Sequence, residues 1–155
     1  MTITIEQASR DAQFRAGAEL FREYARHLGL DLGFQGFEEE LGQVAEMYGP
    51  PAGALLLARD GETCVGVVGL REFAPGDAEM KRMYVMPSHH GQGVGHALAL
   101  AFLETARGLG YRRVLLDSLA SLEPALALYR RLGFTETAPY RYNPFPDAVF
   151  MEYRL

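Results

Sequence analysis

Three glycines, Gly91, Gly93 and Gly95, alternate with other residues in HGQGVG (90–95), just before an alanine- and leucine-rich run that predicts a helix. Glycine weakens the element that contains it, so this density indicates that the backbone itself comes close to another molecule. A loop that opens a helix presents unpaired N–H groups in one direction, and the helix dipole adds partial positive charge there. The segment therefore predicts an anion site, above all for a phosphate.

Two well-known phosphate loops fit this segment poorly. The ATP-type loop requires Lys and then Ser or Thr after its last glycine, whereas His96 and Ala97 stand there. The dinucleotide fingerprint G-x-G-x-x-G would start at Gly91, but its third glycine falls on His96. Asp117 does stand about where a ribose-binding acid belongs, so a dinucleotide-binding domain stays open as an alternative. A tight turn that merely needs glycine is another.

Hydrophobic periodicity predicts the elements that position this loop, with Ser9 as the N-cap of the first helix. We expect strands at 2–6, 54–58, 63–73, 78–86, 112–118, 134–138 and 148–155, and helices at 9–28, 37–48, 94–109 and 122–132. The order β-α-α-β-β-β-α-β-α-β-β predicts one α/β (α+β) domain over residues 1–155. Its sheet should be mixed and mostly antiparallel, with helices on both faces.

A second segment, ALYRRLGF (127–134), carries Tyr129 on the last predicted helix and ends in Leu-Gly-Phe. Together with HGQGVG it resembles the signatures of the GNAT N-acetyltransferases, whose acyl-CoA pyrophosphate loop has the pattern Arg/Gln-x-x-Gly-x-Gly/Ala. The spacing of the two segments and the order of elements also match, so the resemblance covers essentially the whole chain. It implies the GNAT fold and transfer of the acetyl group of acetyl-CoA to a primary amine of a small molecule or peptide, by direct attack in a ternary complex.

The resemblance also implies two catalytic residues. Tyr129 matches the general acid that faces the CoA sulfur: a phenol of pKa ~10 is protonated at neutral pH and can donate to a thiolate whose conjugate acid has a pKa near ~8.5. Glu79 matches a position where the family often places a glutamate that acts as a base through water. The structural alternatives are a core tyrosine, and a strand carboxylate paired with Lys81 or Arg82.

Further residues are implied for binding the cosubstrate. The strand before the loop should offer backbone groups to the oxyanion and the pantetheine arm, the loop should hold the pyrophosphate, and Ser121 could cap the later helix or touch the cofactor. The set is Met83, Tyr84, Val85, His90, Gly91, Gln92, Gly93, Val94, Gly95, His96 and Ser121. Two positions depart from the family pattern, because His90 replaces Arg or Gln and Leu122 replaces an Asn that many members carry. Neither departure affects a phosphate site made of backbone groups.

The acceptor is less defined. The acidic run Glu38–Glu40 and several aromatic residues are candidates for lining its pocket, with a solvated helix start and core packing as the alternatives. These aromatic residues are Phe34, Phe37, Tyr140, Tyr142 and Phe145. A non-catalytic acyl-CoA-binding or sensor domain of the same fold is the alternative to an enzyme, although a binder needs neither Tyr129 nor Glu79. Dimers are frequent in the family, so a homodimer is a further implication.

Composition narrows the classes of partner. A formal net charge of −5 gives no global attraction to nucleic acid or an anionic membrane, and no apolar run has the length of a membrane span. The four histidines lack ligand spacing supported by a second cluster, so we predict no metal. The N-terminus lacks a basic region followed by an apolar stretch, and the single cysteine, Cys64, cannot form an internal disulfide. We therefore expect a cytoplasmic protein without a secretory signal.

Overall fold

The computed structural model describes residues 2–29 and 36–155. Most of these residues belong to helices and strands that alternate along the chain much as their periodicity predicts. The elements are β1 (Ile3–Gln7), α1 (Asp11–Leu28), α2 (Phe37–Gly42), α3 (Val44–Met47), β2 (Ala54–Asp60), β3 (Thr63–Ala74), β4 (Asp77–Val85), a 3₁₀ turn (Pro87–His89), α4 (Val94–Gly108), β5 (Arg113–Leu119), α5 (Glu123–Leu132), β6 (Thr135–Glu136) and β7 (Ala148–Arg154).

The seven strands form one sheet in the order β1-β2-β3-β4-β5-β7-β6. Every neighbouring pair is antiparallel except β4 and β5, which are parallel and are connected through α4. The predicted mixed, mostly antiparallel sheet is confirmed. A dinucleotide-binding domain is excluded, because the strands that precede the glycine loop form an antiparallel meander rather than a doubly wound parallel sheet.

Both faces of the sheet are covered because successive side chains of a strand point to opposite faces. On β2, Leu56 packs in the core beneath α4 and α5, together with Phe102. Its neighbour Leu55 packs in the second core, beneath α1, α2 and α3, with Phe21 and Tyr48. The prediction of helices on both faces is confirmed. Within residues 2–29 and 36–155, none of the helices has the length and apolar character that crossing a membrane requires.

Three local predictions differ from the structure. The N-cap of α1 is Arg10 rather than Ser9, because the Gln13 side chain accepts hydrogen bonds from both backbone N–H groups, at 2.9 and 2.8 Å. The predicted helix over 37–48 is two short helices, since the backbone leaves helical geometry at Gln43, directly after a glycine. The strand predicted at 134–138 is only two residues long, and Pro139, which has no N–H to donate, follows it closely.

The parallel strands β4 and β5 diverge after a short paired segment. They pair only from Asp77 opposite Arg113 to Glu79 opposite Leu115. Further along, β4 has a register shift against β3, and within it Arg82 adopts a φ of 60°, in the left-handed region that non-glycine residues rarely adopt. Among the described residues, the β5-facing edge of β4 therefore has no strand partner beyond Glu79. Its N–H and C=O groups are available to a ligand between the two strands.

Candidate functional site

The glycine loop joins the 3₁₀ turn to α4 and is exposed over residues 91–93. Gly91 and Gly93 have φ angles of 74° and 82°, and a Cβ atom at either would meet nothing within 4 Å. Gly93 is the N-cap of α4, and no side chain of the described residues caps this end; the first intrahelical bond is donated by Ala97 to the Gly93 carbonyl, at 3.0 Å. The loop therefore offers open, left-handed backbone at the positive end of a 15-residue helix, which is the environment that a phosphate requires.

The other residues of the loop have different environments. Gly95 is helical, and a Cβ atom there would lie 3.5 Å from the Leu128 side chain, an ordinary contact, so its conformation does not demand glycine. Val94 is buried in the core and anchors the start of α4. Gln92 and His96 are exposed. Of the three glycines in this segment, the backbone conformation therefore requires two, Gly91 and Gly93.

His90 stands where the family pattern has Arg or Gln. Its Nε2–H group donates a hydrogen bond of 2.7 Å to the carbonyl oxygen of Val85, the last residue of β4. The imidazole thus ties the loop to the strand that precedes it. On β4, directly before Val85, the Tyr84 ring packs beneath α1 and its hydroxyl donates a hydrogen bond to Glu23 at 3.3 Å. Met83 packs on the opposite face, on the side of α4. Residues 83–85 therefore present backbone rather than side chains to the gap between β4 and β5.

Tyr129 lies on α5 and is 5% exposed. Its ring packs against Phe134 with a centroid separation of 5.6 Å, and within residues 2–29 and 36–155 its hydroxyl has no hydrogen-bond partner. Burial raises the pKa of Tyr129 well above its ordinary value, and the nearby Tyr24 of α1 adds to the shift. The phenol therefore keeps its proton at neutral pH and can donate a hydrogen bond to a ligand.

Ser121 is exposed in the turn between β5 and α5. The N-cap of α5 is Leu122, and within the part of the chain that the structure describes no side chain caps this helix. The expectation that Ser121 caps the helix is therefore wrong, because the helix begins one residue too late for its hydroxyl to reach the first turn. A contact between Ser121 and the cofactor stays a prediction.

Glu79 is fully buried, with 0% of its surface exposed. Tyr140 donates its hydroxyl proton to the carboxylate at 2.7 Å, and the Nε atoms of Arg71 and Arg141 lie 3.0 and 3.3 Å away. The expected pairing with Arg82 is not formed, because that guanidinium contacts another glutamate. Burial and the Glu79 charge raise the pKa of Tyr140, which keeps its hydroxyl a donor. Glu79 thus joins β4 to β3 and to the loop that precedes β7.

Arg82, on the strained segment of β4, pairs with Glu40 of α2 through two contacts of 3.0 and 3.2 Å. The Tyr48 hydroxyl donates to the same carboxylate at 2.8 Å. Burial alone would raise the pKa of Glu40, but the Arg82 guanidinium outweighs it, so the net shift is downward. Both charges are buried, and the pair fixes α2 against the bulge of β4.

A cleft opens between the diverging strands on the side of α1, and we call it the central cleft. Its walls come from α1, β4, β5, the turn before α5 and the loop before β7. The lining residues are Tyr24, Leu28, Met80, Lys81, Arg82, Asp117, Ser118, Leu119, Leu122, Asn143 and Phe145. Glu79 and Tyr129 are not among them, although Tyr24, which is, contributes to the raised pKa of Tyr129.

The candidate residues for the acceptor are dispersed. Phe145 lines the central cleft, whereas Tyr140 is engaged with Glu79 and Tyr142 is 72% exposed. Phe37 is buried and lies 5.1 Å from the Arg82 guanidinium, and Phe34 is outside the described residues. Within the run Glu38–Glu40, only the last residue is buried.

Lys81 and Asp117 line the central cleft, whereas the sequence predicts Lys81 only as an ion-pair partner and Asp117 only as a ribose-binding acid. Their places in the cleft depend on the divergence of β4 and β5, which no local pattern reveals. The sequence carries one indication of their position, the alternation of side chains between the two faces along each strand. Both residues lie two positions after the last paired residues of β4 and β5, so they share a face with them.

Comparisons with known proteins agree with this geometry. The model of the Acetyltransferase (GNAT) family matches residues 16–134. An uncharacterized N-acetyltransferase of Schizosaccharomyces pombe is 41% identical over 88% of this chain and 85% of its own length, and one of Escherichia coli is 30% identical over 76% and 73%.

Solved structures share the whole fold at lower identity. An acetyltransferase from Streptococcus agalactiae superposes with a TM-score of 0.80 at 19% identity, over 99% of this chain and 98% of its own. A putative acetyltransferase from Salmonella typhimurium, solved with acetyl-CoA, has a TM-score of 0.74 at 19% identity, over 99% and 94%. The predicted fold is thus confirmed, and this chain belongs to the Acetyltransferase (GNAT) family.

Proposed function

We propose that the protein transfers the acetyl group of acetyl-CoA to a primary amine of a small molecule or peptide, by direct attack within a ternary complex. Membership of the GNAT family supports the reaction class. The observation that supports acetyl-CoA as the cosubstrate is the uncapped N-terminus of α4, where left-handed Gly91 and Gly93 expose backbone that no side chain covers among residues 2–29 and 36–155. A diphosphate with a long flexible arm fits a loop that leads to the unpaired edge of β4.

The residues present fit acetyl-CoA, which supplies a thioester activated toward amines. Backbone N–H groups over 91–96 bind the pyrophosphate at the positive helix end. The free edge of β4 over Met83–Val85 holds the pantetheine arm and donates to the carbonyl oxygen, which stabilises the oxyanion of the tetrahedral intermediate. Tyr129 then donates its proton to the departing sulfur.

The base role of Glu79 stays a prediction. Three contacts already occupy its carboxylate, and it does not line the central cleft. These contacts favour a role in positioning the loop before β7, and the Glu79 variant argued in the Discussion separates the two roles.

A sensor domain that binds acyl-CoA without turnover is the second candidate. What favours an enzyme over it is the Tyr129 hydroxyl, which is buried and makes no structural hydrogen bond among the described residues. A domain that only binds the cofactor needs no such group.

Thermal unfolding with added ligands tests the cosubstrate assignment. We expect CoA at about 100 times its Kd to stabilise the protein by roughly 2.7 kcal/mol, because it binds only the folded loop, and we expect NAD at the same concentration to have no effect. An assay of thiol release across a panel of amines then tests turnover. Stabilisation by NAD alone would contradict the proposal, and CoA binding without thiol release from any amine would favour the sensor.

Two glycine variants test the loop itself. Gly93→Ala should lower the free energy of unfolding by about 1–2 kcal/mol, because Ala resists the left-handed backbone, and should weaken CoA binding. Gly108→Ala, at the other end of α4, is the matched control, since a Cβ atom there would meet nothing within 4 Å and Ala favours helix by about 1 kcal/mol. The measurements are urea unfolding and CoA titration of both variants. Equal losses of CoA affinity would show that the left-handed turn does not form the phosphate site.

A further inference from the structure

We propose that the acceptor amine carries a carboxylate several bonds away from the attacking nitrogen, and that Arg71 and Arg141 bind this carboxylate. The inference rests on the proposed acetyl transfer and names the substrate class of that same site. It is carried by the contacts of the two guanidinium groups with one buried carboxylate, that of Glu79, and by the place of Arg141 in the loop that lines the central cleft. We call Arg71 and Arg141 the arginine pair.

The arginine pair has more positive charge than its partner compensates. Oε1 of Glu79 lies 3.0 Å from Nε of Arg71, and Oε2 lies 3.3 Å from Nε of Arg141. Among the described residues, neither guanidinium lies within 4 Å of another carboxylate. The two side chains are only 28% and 20% exposed, and a charge that is kept away from water is costly unless it is paired. A second anion beside Glu79 would compensate the remaining charge.

Both guanidinium groups keep hydrogen-bond donors for such an anion. Within residues 2–29 and 36–155, their terminal nitrogens have no hydrogen-bond partner. Nε of Arg141 is itself buried and, in spite of its short distance to Glu79, forms no hydrogen bond in this part of the chain. A guanidinium presents five N–H donors in a planar fork, which matches the two oxygens of a carboxylate. The arginine pair therefore has both the charge and the donors that a ligand carboxylate requires.

The surroundings of Arg71 indicate the side from which the ligand approaches. Arg71 also lines a second cavity, beside the connection between α3 and β2, and the wall of that cavity includes Glu46 and Glu72. These two carboxylates disfavour an incoming anion on that side. The ligand carboxylate therefore reaches the arginine pair from the side of Arg141.

The loop before β7 brings Arg141 to the edge of the central cleft. Tyr140 of this loop donates a hydrogen bond to Glu79 of β4, at 2.7 Å. Asn143 of the same loop donates to Asp117 of β5 at 3.1 Å, and both of these residues line the cleft. Arg141 lies between the two anchored positions, so it stands where the loop crosses from β4 toward β5. Because Glu79 is the last residue of β4 that pairs with β5, the arginine pair lies at the closed end of the gap between the strands.

The loop is held in place without a ligand. The Tyr140 ring packs edge-on against Phe73 of β3 and Phe150 of β7, with centroid separations of 5.0 and 5.6 Å. Together with the hydrogen bond to Glu79, these contacts fix the backbone that carries Arg141. A binding group that is already ordered loses little conformational entropy when the ligand binds, which favours affinity.

The position of the arginine pair sets the length of the acceptor. The proposed oxyanion contact uses the backbone of Met83–Val85, and Glu79 lies four residues before Met83 on β4. Four residues of a strand span roughly 13 Å, of which an arginine side chain bridges only a part. An α-amino acid, whose amine and carboxylate share one carbon, is too short to reach both places. An acceptor with a flexible spacer between the two groups fits.

Matched pairs of amines test the proposal. 6-Aminohexanoate and 6-aminohexanamide differ only in the charge of the distant group, and they are compared by thiol release at saturating acetyl-CoA. We expect the wild-type kcat/KM to be about 10- to 100-fold higher for the acid, the usual worth of hydrogen bonds to a charged group. Glycine should show no such preference over glycinamide, because its carboxylate cannot reach the arginine pair. The dipeptide amides Ala-Glu and Ala-Gln, compared in the same way, distinguish a peptide from a free ω-amino acid as the source of the carboxylate.

Variants of Arg141 connect the preference to the arginine pair. Arg141→Gln should bring the two kcat/KM values close to equality, mainly by lowering that of the acid, because Arg71 and Tyr140 still hold Glu79. Arg141→Lys keeps the charge without the planar fork and should restore part of the preference. Arg22→Gln is the matched control, since that arginine belongs to an exposed ion pair of α1 and its removal should leave the preference unchanged. Stabilisation by CoA should survive in all three variants.

Three results would overturn the inference. They are equal use of the acid and the amide by the wild-type protein in both the aminohexanoate and the dipeptide pairs, an unchanged preference in Arg141→Gln, and a preference for glycine over glycinamide as large as that for the longer acid. Should Arg141→Gln fail to fold, the wild-type comparisons and Arg141→Lys decide.

A binding measurement separates this inference from the proposed function. Titration calorimetry of 6-aminohexanoate into the complex of the protein with CoA should show binding that Arg141→Gln weakens by about 10-fold or more. If this binding is present and no amine releases thiol, the proposed acetyl transfer is overturned while the carboxylate site is supported. If thiol release is present and the binding does not depend on Arg141, the inference is overturned and the proposed function is not.

Discussion

Replacing Tyr129 by Phe is expected to lower kcat for acetyl transfer by about 100-fold or more, which is the usual contribution of a positioned general acid. The ring and its contact with Phe134 remain, so the core should not change. Because the hydroxyl has no hydrogen-bond partner in the described parts of the chain, its removal leaves no buried group unsatisfied there. We therefore expect nearly unchanged thermal stability and nearly unchanged CoA binding.

Tyr111→Phe is the matched control for this experiment. Tyr111 is also buried, but its hydroxyl donates to the Ala52 carbonyl at 2.6 Å, at the opposite end of β5 from the central cleft. Loss of that bond should cost about 1 kcal/mol of stability without affecting turnover. Thiol-release kinetics and thermal unfolding on both variants separate the two effects. Turnover of Tyr129→Phe at the wild-type rate would eliminate this residue as the acid.

The parts of the structure that follow from local pattern were predictable from the sequence. The helix that starts at Val94 follows from its apolar spacing and the glycines before it, and the meander of β2, β3 and β4 follows from the short turns between them. Gly91 and Gly93 both have positive φ angles, which agrees with the prediction that the backbone there is left free of side chains. These features depend only on residues that are neighbours along the chain, so a single sequence is enough to predict them.

The central cleft was not predictable in the same way. It depends on the bulge at Arg82, which reads in sequence as an ordinary strand residue and is held by a glutamate 42 positions away. Likewise Glu79 lies next to its expected partners in sequence but contacts Tyr140, 61 positions away. Contacts between residues so far apart in the sequence depend on the divergence of β4 and β5. The sequence therefore predicts the glycine loop more completely than the central cleft.

Glu79→Gln is expected to lower the free energy of unfolding by about 3 kcal/mol. The substitution keeps the shape of the side chain but removes a charge that two guanidinium groups share in the interior, and removing one partner of a buried ion pair is costly. Since whole domains are stable by only about 5–15 kcal/mol, urea unfolding should resolve this loss readily. Glu136→Gln is the matched control, because its pair with Arg130 is exposed and should contribute less than about 1 kcal/mol.

The same variant separates the two roles of Glu79. If the carboxylate is structural, the variant should be less stable. Its turnover per folded molecule should fall only because the loop before β7 shifts, and that effect should appear mainly as a higher KM for the amine. A base predicts the reverse, a large fall in kcat with stability preserved. Because Tyr140 and Arg141 both reach Glu79 from that loop, we expect the first pattern. A fall in kcat as large as that of Tyr129→Phe, with unchanged urea unfolding, would assign the base to Glu79 instead.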